Sequence, residues 1–442
     1  MRLRPPPLPA IDPMPPRLGG PLPWVEAGAA LLRDPTACFL SARRRFGDTF
    51  VVDAFGYRLF SVFSPAGVAR LYALAEHEAS FGLATFELVL KRKLPTELLA
   101  GRRTFPHALF GGQEVEDYLG HLHEAMRLQL DELGAAGTFE AFALARRLGH
   151  RLGLASWAGR EAAAPGTLDR LIPPLDRLDS GDSFVRPAQA FVTALTRKAP
   201  ERRAMREVEA IIGEILRARR RAGTPVGDYL DRIAAPFADL PEAERDAQTA
   251  RDVMVIHMGA QSNLYAALAW TLVNLLRQPT LLAAVRAGDD VLLEQCANES
   301  IRMAQRSITL RYVMSPLDFD DGERTYRLDS GVMITTMLPV TNTSAAPGLE
   351  RFDPAHYEGR KLSARVPLPT RELVSTFGHG RHACPAQRFA ISAIRIAVRA
   401  LVEAYDLTPG FADVQPRRRQ IGGVARAAGP CPVAYARRPV RG

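Results

Sequence analysis

The residues with the clearest chemical potential lie in one short segment, 377–386, near the C-terminal end of the chain. It contains one thiol, Cys384, with the side chains of Arg381 and His382 just before it and Pro385 just after it. Two glycines in the segment permit a tight turn that would bring backbone N–H groups near the sulfur. Pro385 fits the first turn of a helix, whose dipole would favour an anionic sulfur. The segment therefore predicts a metal-ligating thiolate that is tuned by backbone hydrogen bonds.

Two plainer interpretations of this segment stay open at this point. Cys384 could be a buried cysteine in a glycine-rich loop that binds nothing. Alternatively, His379, His382 and Cys384 could bind zinc, which takes four ligands in a structural site. No Cys or His pair elsewhere in the sequence completes such a tetrahedral set, and this weakens the zinc interpretation.

The stretch from Phe377 to Ala390 resembles the cysteine-loop signature of the cytochromes P-450, Phe-Gly-x-Gly-x-His/Arg-x-Cys-x-Gly/Ala. The resemblance implies that Cys384 is the axial thiolate ligand of the iron of haem b. It also implies that Phe377 and Gly378 lie beside this cofactor and that His382 reaches a haem carboxylate. The expected fold is mainly α with a smaller β portion, in a single compact unit.

Composition and chain organisation agree with that expectation. The 442 residues are 47% hydrophobic and 24% charged, as in ordinary globular proteins, and four scattered cysteines do not form a disulfide framework, which fits the cytoplasm. Residues 1–23 contain nine prolines and no apolar run. We expect them to be a flexible arm, neither a signal peptide nor a membrane anchor, followed by one haem domain over residues 24–442.

The formal net charge of +9 allows nucleic acid, an anionic membrane or an acidic protein as a partner. The arginines are spread along the chain without a basic stripe that alternates with aromatics, so we expect no nucleic-acid binding. Once a haem is accepted, an acidic ferredoxin is the favoured partner. Arg388, Arg395 and Arg399 would share one face of the helix after Cys384 and form its docking site; the alternative is a plain solvated face.

A long uncharged segment, Val253–Leu276, predicts the central helix of the fold. Its 24 residues would extend over roughly 36 Å, enough to cross a bilayer or a whole domain. Polar residues along it, among them His257 and Asn274, favour a buried central helix. In the cytochrome P-450 family, such a helix runs over the distal face of the haem.

Within that helix, Gly259–Asn263 aligns with the family run Ala/Gly-Gly-x-Asp/Glu-Thr, whose acid and threonine deliver protons to dioxygen. Ser262 stands in the place of the acid and Asn263 in that of the threonine, with Gln261 beside them. The resemblance implies that these three residues are catalytic, although an amide donates hydrogen bonds without titrating. The run is similar to that of the branch holding prostacyclin synthase and the bile-acid hydroxylases. The alternative is that Asn263 is a packing residue.

Four residues would hold the haem carboxylates if the resemblance applies. His123 and Arg127 match the family pattern Trp/His-x-x-x-Arg, Arg311 lies where another carboxylate partner is usual, and His382 belongs to the cysteine loop. Buried carboxylates need such partners, because an unpaired buried charge costs several kcal/mol. Each residue alone is also compatible with an ordinary surface position.

A second family feature is an ion pair beneath the haem. Glu299 and Arg302, three residues apart on a predicted helix, can pair with each other. In the family a third partner comes from a Phe-x-Pro-x-Arg-Phe stretch, for which this chain has Phe352–Tyr357 with His356 in the place of the arginine. An imidazole lacks the fork of a guanidinium, so we expect a weaker anchor.

These features lead to one hypothesis and two alternatives. The chain is expected to be a haem-thiolate monooxygenase that oxidises a hydrophobic small molecule with O2 and electrons from a ferredoxin. Substrate would lie between segments 81–106, 258–263, 307–314 and 421–424, which are apolar or small. The alternatives are a peroxide isomerase or peroxygenase of the same fold, without external electrons, and a haem protein without catalysis.

Overall fold

The structure is a computed structural model that describes residues 8–22, 24–102, 114–179, 193, 195–223, 226–359 and 361–439. Its architecture is mainly helical with a smaller β portion, as predicted. Apolar residues at helical spacing bury one face of each long helix against its neighbours. The helices are Gly28–Arg33, Pro35–Phe46, Pro65–Ala73, Phe81–Thr85, Lys91–Lys93, Thr96–Leu99, Glu114–Leu133, Ala141–Trp157, Arg160–Ala163, Pro165–Leu178, Ala199–Ala222, Tyr229–Ala234, Glu242–Leu276, Pro279–Arg286, Asp290–Ala304, Leu338–Ser344, Leu362–Arg365 and Gln387–Ala404.

The strands form three small sheets. The strands are β1 Ile11–Asp12, β2 Arg17–Leu18, β3 Thr49–Ala54, β4 Tyr57–Val62, β5 Ala79–Ser80, β6 Ala136–Glu140, β7 Ile308–Val313, β8 Leu317–Asp320, β9 Thr325–Leu328, β10 Met333–Met337, β11 Tyr405–Pro409 and β12 Pro432–Arg437. The strand order in the first sheet is β1-β9-β8, in the second β2-β3-β4-β10-β7-β5, and in the third β11-β12-β6. Strand β10 pairs in parallel with β4 and antiparallel with β7, so the six-stranded sheet is mixed.

The described part of the N-terminal arm differs from our expectation of a flexible segment. Its residues 8–22 contribute β1, which pairs antiparallel with β9, and β2, which pairs in parallel with β3. Arg58 donates to the carbonyl of Pro9 at 2.8 Å, and Arg17 pairs with the buried Asp53 at 2.7 Å. Neither β1 nor β2 contains a proline, so the prolines of the arm lie beside these short edge strands and remove no donor from them. Residues 1–7 and 23 lie outside the described residues.

The central helix, Glu242–Leu276, is longer than the uncharged run that predicts it. It begins after Pro241 and includes a charged first part, in which Asp246 receives hydrogen bonds from Arg220 at 2.8 Å. Further along, Trp270 Nε1 donates to the carbonyl of Ala425 at 2.6 Å. Polar side chains thus find partners in the interior. Within the described residues, no helix combines the length and the apolar character needed to cross a membrane.

Candidate functional site

A cavity of about 490 Å³ lies between the central helix and the cysteine loop (residues 377–386). One wall is apolar and comes mainly from the central helix, with Val255, Ile256, Ala260, Leu264 and Ala267. The opposite wall is the cysteine loop with Cys384, and β7 adds polar and charged side chains. A thiol therefore faces an apolar helix across a space large enough for a small molecule.

The cysteine loop turns where its glycines allow it. Gly378 has φ +79°, and a Cβ there would lie 2.9 Å from the carbonyl oxygen of His382. The N–H of Cys384 donates to the carbonyl of Phe377 at 2.7 Å, which closes the turn. The next helix begins at Gln387, so Pro385 lies in the turn before it.

The environment of the Cys384 sulfur combines burial with one backbone donor. Burial raises the pKa of the thiol, and the N–H of Ala386, which bonds to the sulfur, acts in the opposite direction. The other cysteines, Cys38, Cys296 and Cys431, are buried and do not line the cavity. Cys384 is therefore the thiol that can meet a ligand there.

His379 does not join Cys384 in the arrangement that a zinc site would need. Its Nε2 donates to the carbonyl of Val374 at 2.9 Å, and its ring packs edge-on against Tyr72 at 5.0 Å. Across the described ranges, no group of three or more His, Cys, Asp or Glu residues is arranged to hold a metal ion. His379 supports the shape of the loop.

Arg311 and His382 lie together at one edge of the cavity. Arg311, on β7, is 2% exposed, and its buried Nε has no hydrogen-bond partner in the part of the chain that the structure describes. The carboxylate of Glu76 contacts both side chains, at 3.3 Å from Arg311 Nη1 and 3.1 Å from His382 Nε2. Burial lowers the pKa of His382, and the nearby Arg311 charge adds to this effect.

The structure does not bring His123 and Arg127 to this edge. Both lie on the exposed face of the helix Glu114–Leu133, and Arg127 pairs with Asp131 at 3.3 Å. The opposite face, with Tyr118, packs into the core. The four-membered cradle predicted from the sequence is thus reduced to Arg311 and His382 among the described residues.

Asn263 lies at the apolar wall, and its amide has a fixed orientation. Its Oδ1 accepts a hydrogen bond of 2.9 Å from the N–H of Val424, so Nδ2 is left to donate toward the cavity. Gly423 makes this approach possible, because a Cβ at that position would lie 2.3 Å from Oδ1. The amide therefore presents a donor held by the C-terminal turn.

Gln261 and Ser262 occupy different positions from Asn263. Gln261 is 1% exposed and donates from Nε2 to the carbonyl of Leu175 at 3.3 Å, on the face of the helix that points away from the cavity. Ser262 is half-buried and is not part of the cavity wall. Of the three predicted distal residues, the helical spacing brings Asn263 alone into the cavity.

The predicted ion pair forms a fully buried anchor. Glu299 and Arg302 are 0% exposed and make hydrogen bonds of 2.5 and 2.7 Å. His356 Nδ1 lies 3.0 Å from Glu299 Oε1 and takes the third place. Arg302 also donates to the carbonyls of Asn342 and Leu349, at 2.6 and 2.7 Å, so its remaining N–H groups are satisfied.

The arginines predicted to dock a partner protein differ in their surroundings. Arg395 pairs with Asp290 at 3.3 Å and Glu294 at 3.5 Å, and Arg399 pairs with Asp290 at 2.5 Å. Arg388 is exposed, with no ion-pair partner among the described residues. Local carboxylates therefore neutralise two of the three charges.

These residues fit a haem. The unpartnered Nε of Arg311 is a buried donor at the cavity edge, and buried donors generally require an acceptor such as a carboxylate. Cys384 offers its sulfur to the same cavity, and Phe377 and Gly378 line it as expected. A flat cofactor with a metal centre and acidic side chains matches this combination of thiol, hydrogen-bond donors and apolar wall.

Sequence reasoning missed Glu76 and Tyr72. Glu76 meets Arg311 and His382 only through the fold, since these partners are far apart in the chain. Tyr72 lines the cavity and its hydroxyl lies 3.1 Å from Thr309 Oγ1. For His123 and Arg127, the sequence contained a signal against a position at the cavity. Tyr118, Leu122 and Met126 mark the buried apolar face of that helix, which leaves His123 and Arg127 on the exposed face.

Comparison with known proteins agrees with the geometry. Residues 238–431 match the family model described as cytochrome P450. The chain is 22% identical over 458 residues to the human (Homo sapiens) 24-hydroxycholesterol 7-alpha-hydroxylase, covering 96% of this chain and 94% of that protein. It is 24% identical to abscisic acid 8'-hydroxylase 3 of Oryza sativa subsp. indica, with 87% and 80% covered.

A bacterial relative matches a shorter region. Cytochrome P450 monooxygenase PikC of Streptomyces venezuelae is 33% identical over 148 residues, which is 31% of this chain and 30% of that protein. The thiol loop, the buried ion pair and the long helix all fall within residues 238–431, where the family model matches. The chain belongs to the cytochrome P450 family, and it is an oxidoreductase of the monooxygenase type.

Proposed function

We propose that this monooxygenase hydroxylates, or similarly oxidises, a hydrophobic small molecule, using haem b ligated by Cys384, dioxygen, and electrons from a ferredoxin. The observation that carries the proposal is a single cavity with the Cys384 thiol and Arg311 on one side and the apolar face of the central helix on the other. The names of the similar proteins, two hydroxylases among them, support the reaction type.

Each wall of the cavity has a task in this proposal. When bound, a haem with a thiolate ligand supplies dioxygen activation, because electron donation by sulfur favours O–O cleavage. The N–H of Ala386 stabilises the anionic sulfur, and Arg311 and His382 offer donors to the cofactor's carboxylates. The apolar helix face excludes water and positions a hydrophobic substrate by contact.

The assignment of Cys384 is tested by the spectrum of the reduced carbon-monoxide complex. We expect the wild-type protein to show the long-wavelength band peculiar to thiolate ligation and the Cys384→Ala variant to lose it. Cys38→Ala is the matched control, because Cys38 is a buried thiol remote from the cavity wall. Persistence of the band in Cys384→Ala would contradict the assignment.

Asn263 has a separate role in this proposal, on the side of the cavity that is formed by the central helix. Its Nδ2 group can donate a hydrogen bond to an oxygen in the cavity, but an amide does not titrate at working pH. Protons would then reach the cavity from ordered water or from a hydroxyl of the substrate. The same amide would also suit a peroxide substrate, as in the isomerase or peroxygenase alternative.

The Asn263→Ala variant distinguishes a reductant-driven monooxygenase from a peroxide-dependent enzyme. One lost hydrogen bond is worth about 1 kcal/mol, so we expect a roughly fivefold effect. For a reductant-driven monooxygenase, Asn263→Ala should raise the fraction of electrons lost as peroxide, and Asn263→Thr should be tolerated because it retains a donor. For a peroxide-dependent enzyme, Asn263→Ala should slow peroxide turnover, and reductant should have no effect. Unchanged kinetics in both assays would make Asn263 a packing residue.

A third outcome concerns catalysis itself. A protein that binds haem and hydrophobic ligands but consumes no dioxygen coupled to product would be a carrier or sensor. The ligands are identified first, from the changes in the haem spectrum that a panel of hydrophobic compounds produces. Product analysis with reductant and dioxygen then decides between binding and turnover.

A further inference from the structure

Glu76 is an acidic residue that contacts Arg311 and His382 at the edge of the cavity. Its Oε2 atom lies 3.3 Å from Arg311 Nη1 and 3.1 Å from His382 Nε2. The side chain is 45% exposed, whereas that of Arg311 is 2% exposed. Glu76 is thus the more exposed partner, and it does not line the cavity itself.

Glu76 is also held by contacts other than those with Arg311 and His382. Its Oε1 accepts hydrogen bonds from Ser80 Oγ at 2.6 Å and from the N–H of Gly82 at 2.9 Å, and Oε2 accepts one from the N–H of Phe81 at 3.2 Å. Burial opposes the shift, but these hydrogen bonds lower the pKa of Glu76. The carboxylate is therefore ionised and held by the chain segment that follows it.

The segment also touches the cavity. Phe81 is part of the cavity wall, and its ring packs on His382 with 4.9 Å between ring centroids. Glu76 therefore connects residues 80–82 with both side chains that we assign to the cofactor's carboxylates. A substitution at Glu76 would first change the charge beside Arg311 and His382, and only then the packing of residues 80–82.

We propose that Glu76 is a positioning residue that orients Arg311 and His382 toward the cofactor's carboxylates and keeps a fixed negative charge beside them. This inference rests on the proposed haem site. Arg311 and His382 then serve the carboxylates of the cofactor and that of Glu76, so the edge of the site is less positive than the Arg311 guanidinium alone would make it. A less positive surrounding disfavours the addition of an electron to the cofactor.

The test is a redox titration of the haem-loaded protein against a reference dye. Glu76→Gln retains the size of the side chain and removes its charge, so the one-electron equilibrium should shift toward the reduced form by roughly threefold or more. Glu78→Gln is the matched control: Glu78 pairs with Arg70 at 3.3 Å and does not line the cavity. It should titrate like the wild type.

The outcomes separate this inference from the proposed function. A Glu76→Gln protein that titrates like Glu78→Gln, or shifts toward the oxidised form, overturns the role of Glu76 while the haem site stands. A wild-type protein that takes up no haem, seen as a missing Soret band, overturns the proposed function itself. A shift toward the reduced form that occurs in Glu76→Gln and not in Glu78→Gln supports the inference, because a merely structural change would not alter the reduction equilibrium in this direction.

Discussion

Arg311 shows how strongly one side chain depends on its surroundings. Its guanidinium is buried, burial lowers its pKa, and its Nε has no partner within the described residues. A buried charge is costly unless it is paired, so a second carboxylate from a bound cofactor would be a favourable partner. The side chain therefore connects cofactor binding with the stability of β7.

Loss of the two hydrogen-bond donors at the cavity edge, Arg311 and His382, should lower haem occupancy. We expect the double variant Arg311→Ala, His382→Ala to retain less haem after purification, because each charge-assisted hydrogen bond is worth about 1.5–3 kcal/mol. Haem content per protein, measured as the pyridine haemochrome, gives the occupancy. Arg127→Ala is the control, since its exposed guanidinium pairs with Asp131 outside the cavity. Equal occupancy in all three proteins would contradict the assignment.

At the residue scale, some features of the candidate site could be predicted from the sequence and others could not. The context of Cys384 is local, because its glycines and its backbone hydrogen bond all come from one loop. The pattern of His123 and Arg127, by contrast, occurs on any helix, and its orientation depends on which face is buried. Glu76 has no sequence signal, since its partners are supplied by β7 and the cysteine loop.

At the scale of elements, the central helix is joined to the helix Ala141–Trp157 by a buried histidine pair. His150 Nδ1 lies 2.9 Å from His257 Nε2, and both side chains are 0% exposed. His150 Nε2 lies 3.2 Å from Asp176 on a third helix. Burial lowers the pKa of His257 to about 3 and lowers that of His150 well below its usual value. The pair is therefore neutral in the folded protein.

This pair should make the protein sensitive to acid. A histidine with a lowered folded-state pKa binds its proton more readily when unfolded, so its stabilising effect is complete above pH 6.5 and is lost as pH falls toward about 3. For His257 the loss between pH 8 and pH 5 should be about 2 kcal/mol in the free energy of unfolding. Urea unfolding of wild type and His257→Asn over this range measures it.

The slope of stability against pH is the decisive quantity, because His257→Asn also changes packing. The variant should show a shallower slope than the wild type below pH 6.5. His77→Asn is the control, since His77 is exposed. Identical slopes for wild type and His257→Asn would mean that the histidine pair does not govern acid stability.

Elements were predicted best where periodicity and length agree. The uncharged run identified the central helix, although its charged start at Glu242 was missed because that part pairs with arginines of a neighbouring helix. The pairing of residues 8–22 with the sheets was also not predicted. Proline-rich composition predicts weak local structure, whereas β1 and β2 form through pairing with strands far away in the chain.

At the scale of the whole molecule, the formal net charge of +9 matters through its distribution. Near the cysteine loop, Arg381 and Arg388 are exposed and have no ion-pair partner in the described part of the chain. Arg395 and Arg399 are paired with Asp290. Any electrostatic attraction of an acidic ferredoxin on this face should therefore depend chiefly on Arg388 and Arg381.

Charge reversal at Arg388 tests this surface. We expect Arg388→Glu to slow reduction by an acidic ferredoxin by about tenfold at low salt, because like charges then meet at the contact and steering is lost. Arg203→Glu is the control with the same change in net charge, since Arg203 is an exposed residue of the helix Ala199–Ala222. At 1 M salt the Debye length falls to about 3 Å, so the three proteins should converge. Stopped-flow reduction measures the rates. A rate that is independent of salt, or equal slowing by both variants, would place the docking surface elsewhere.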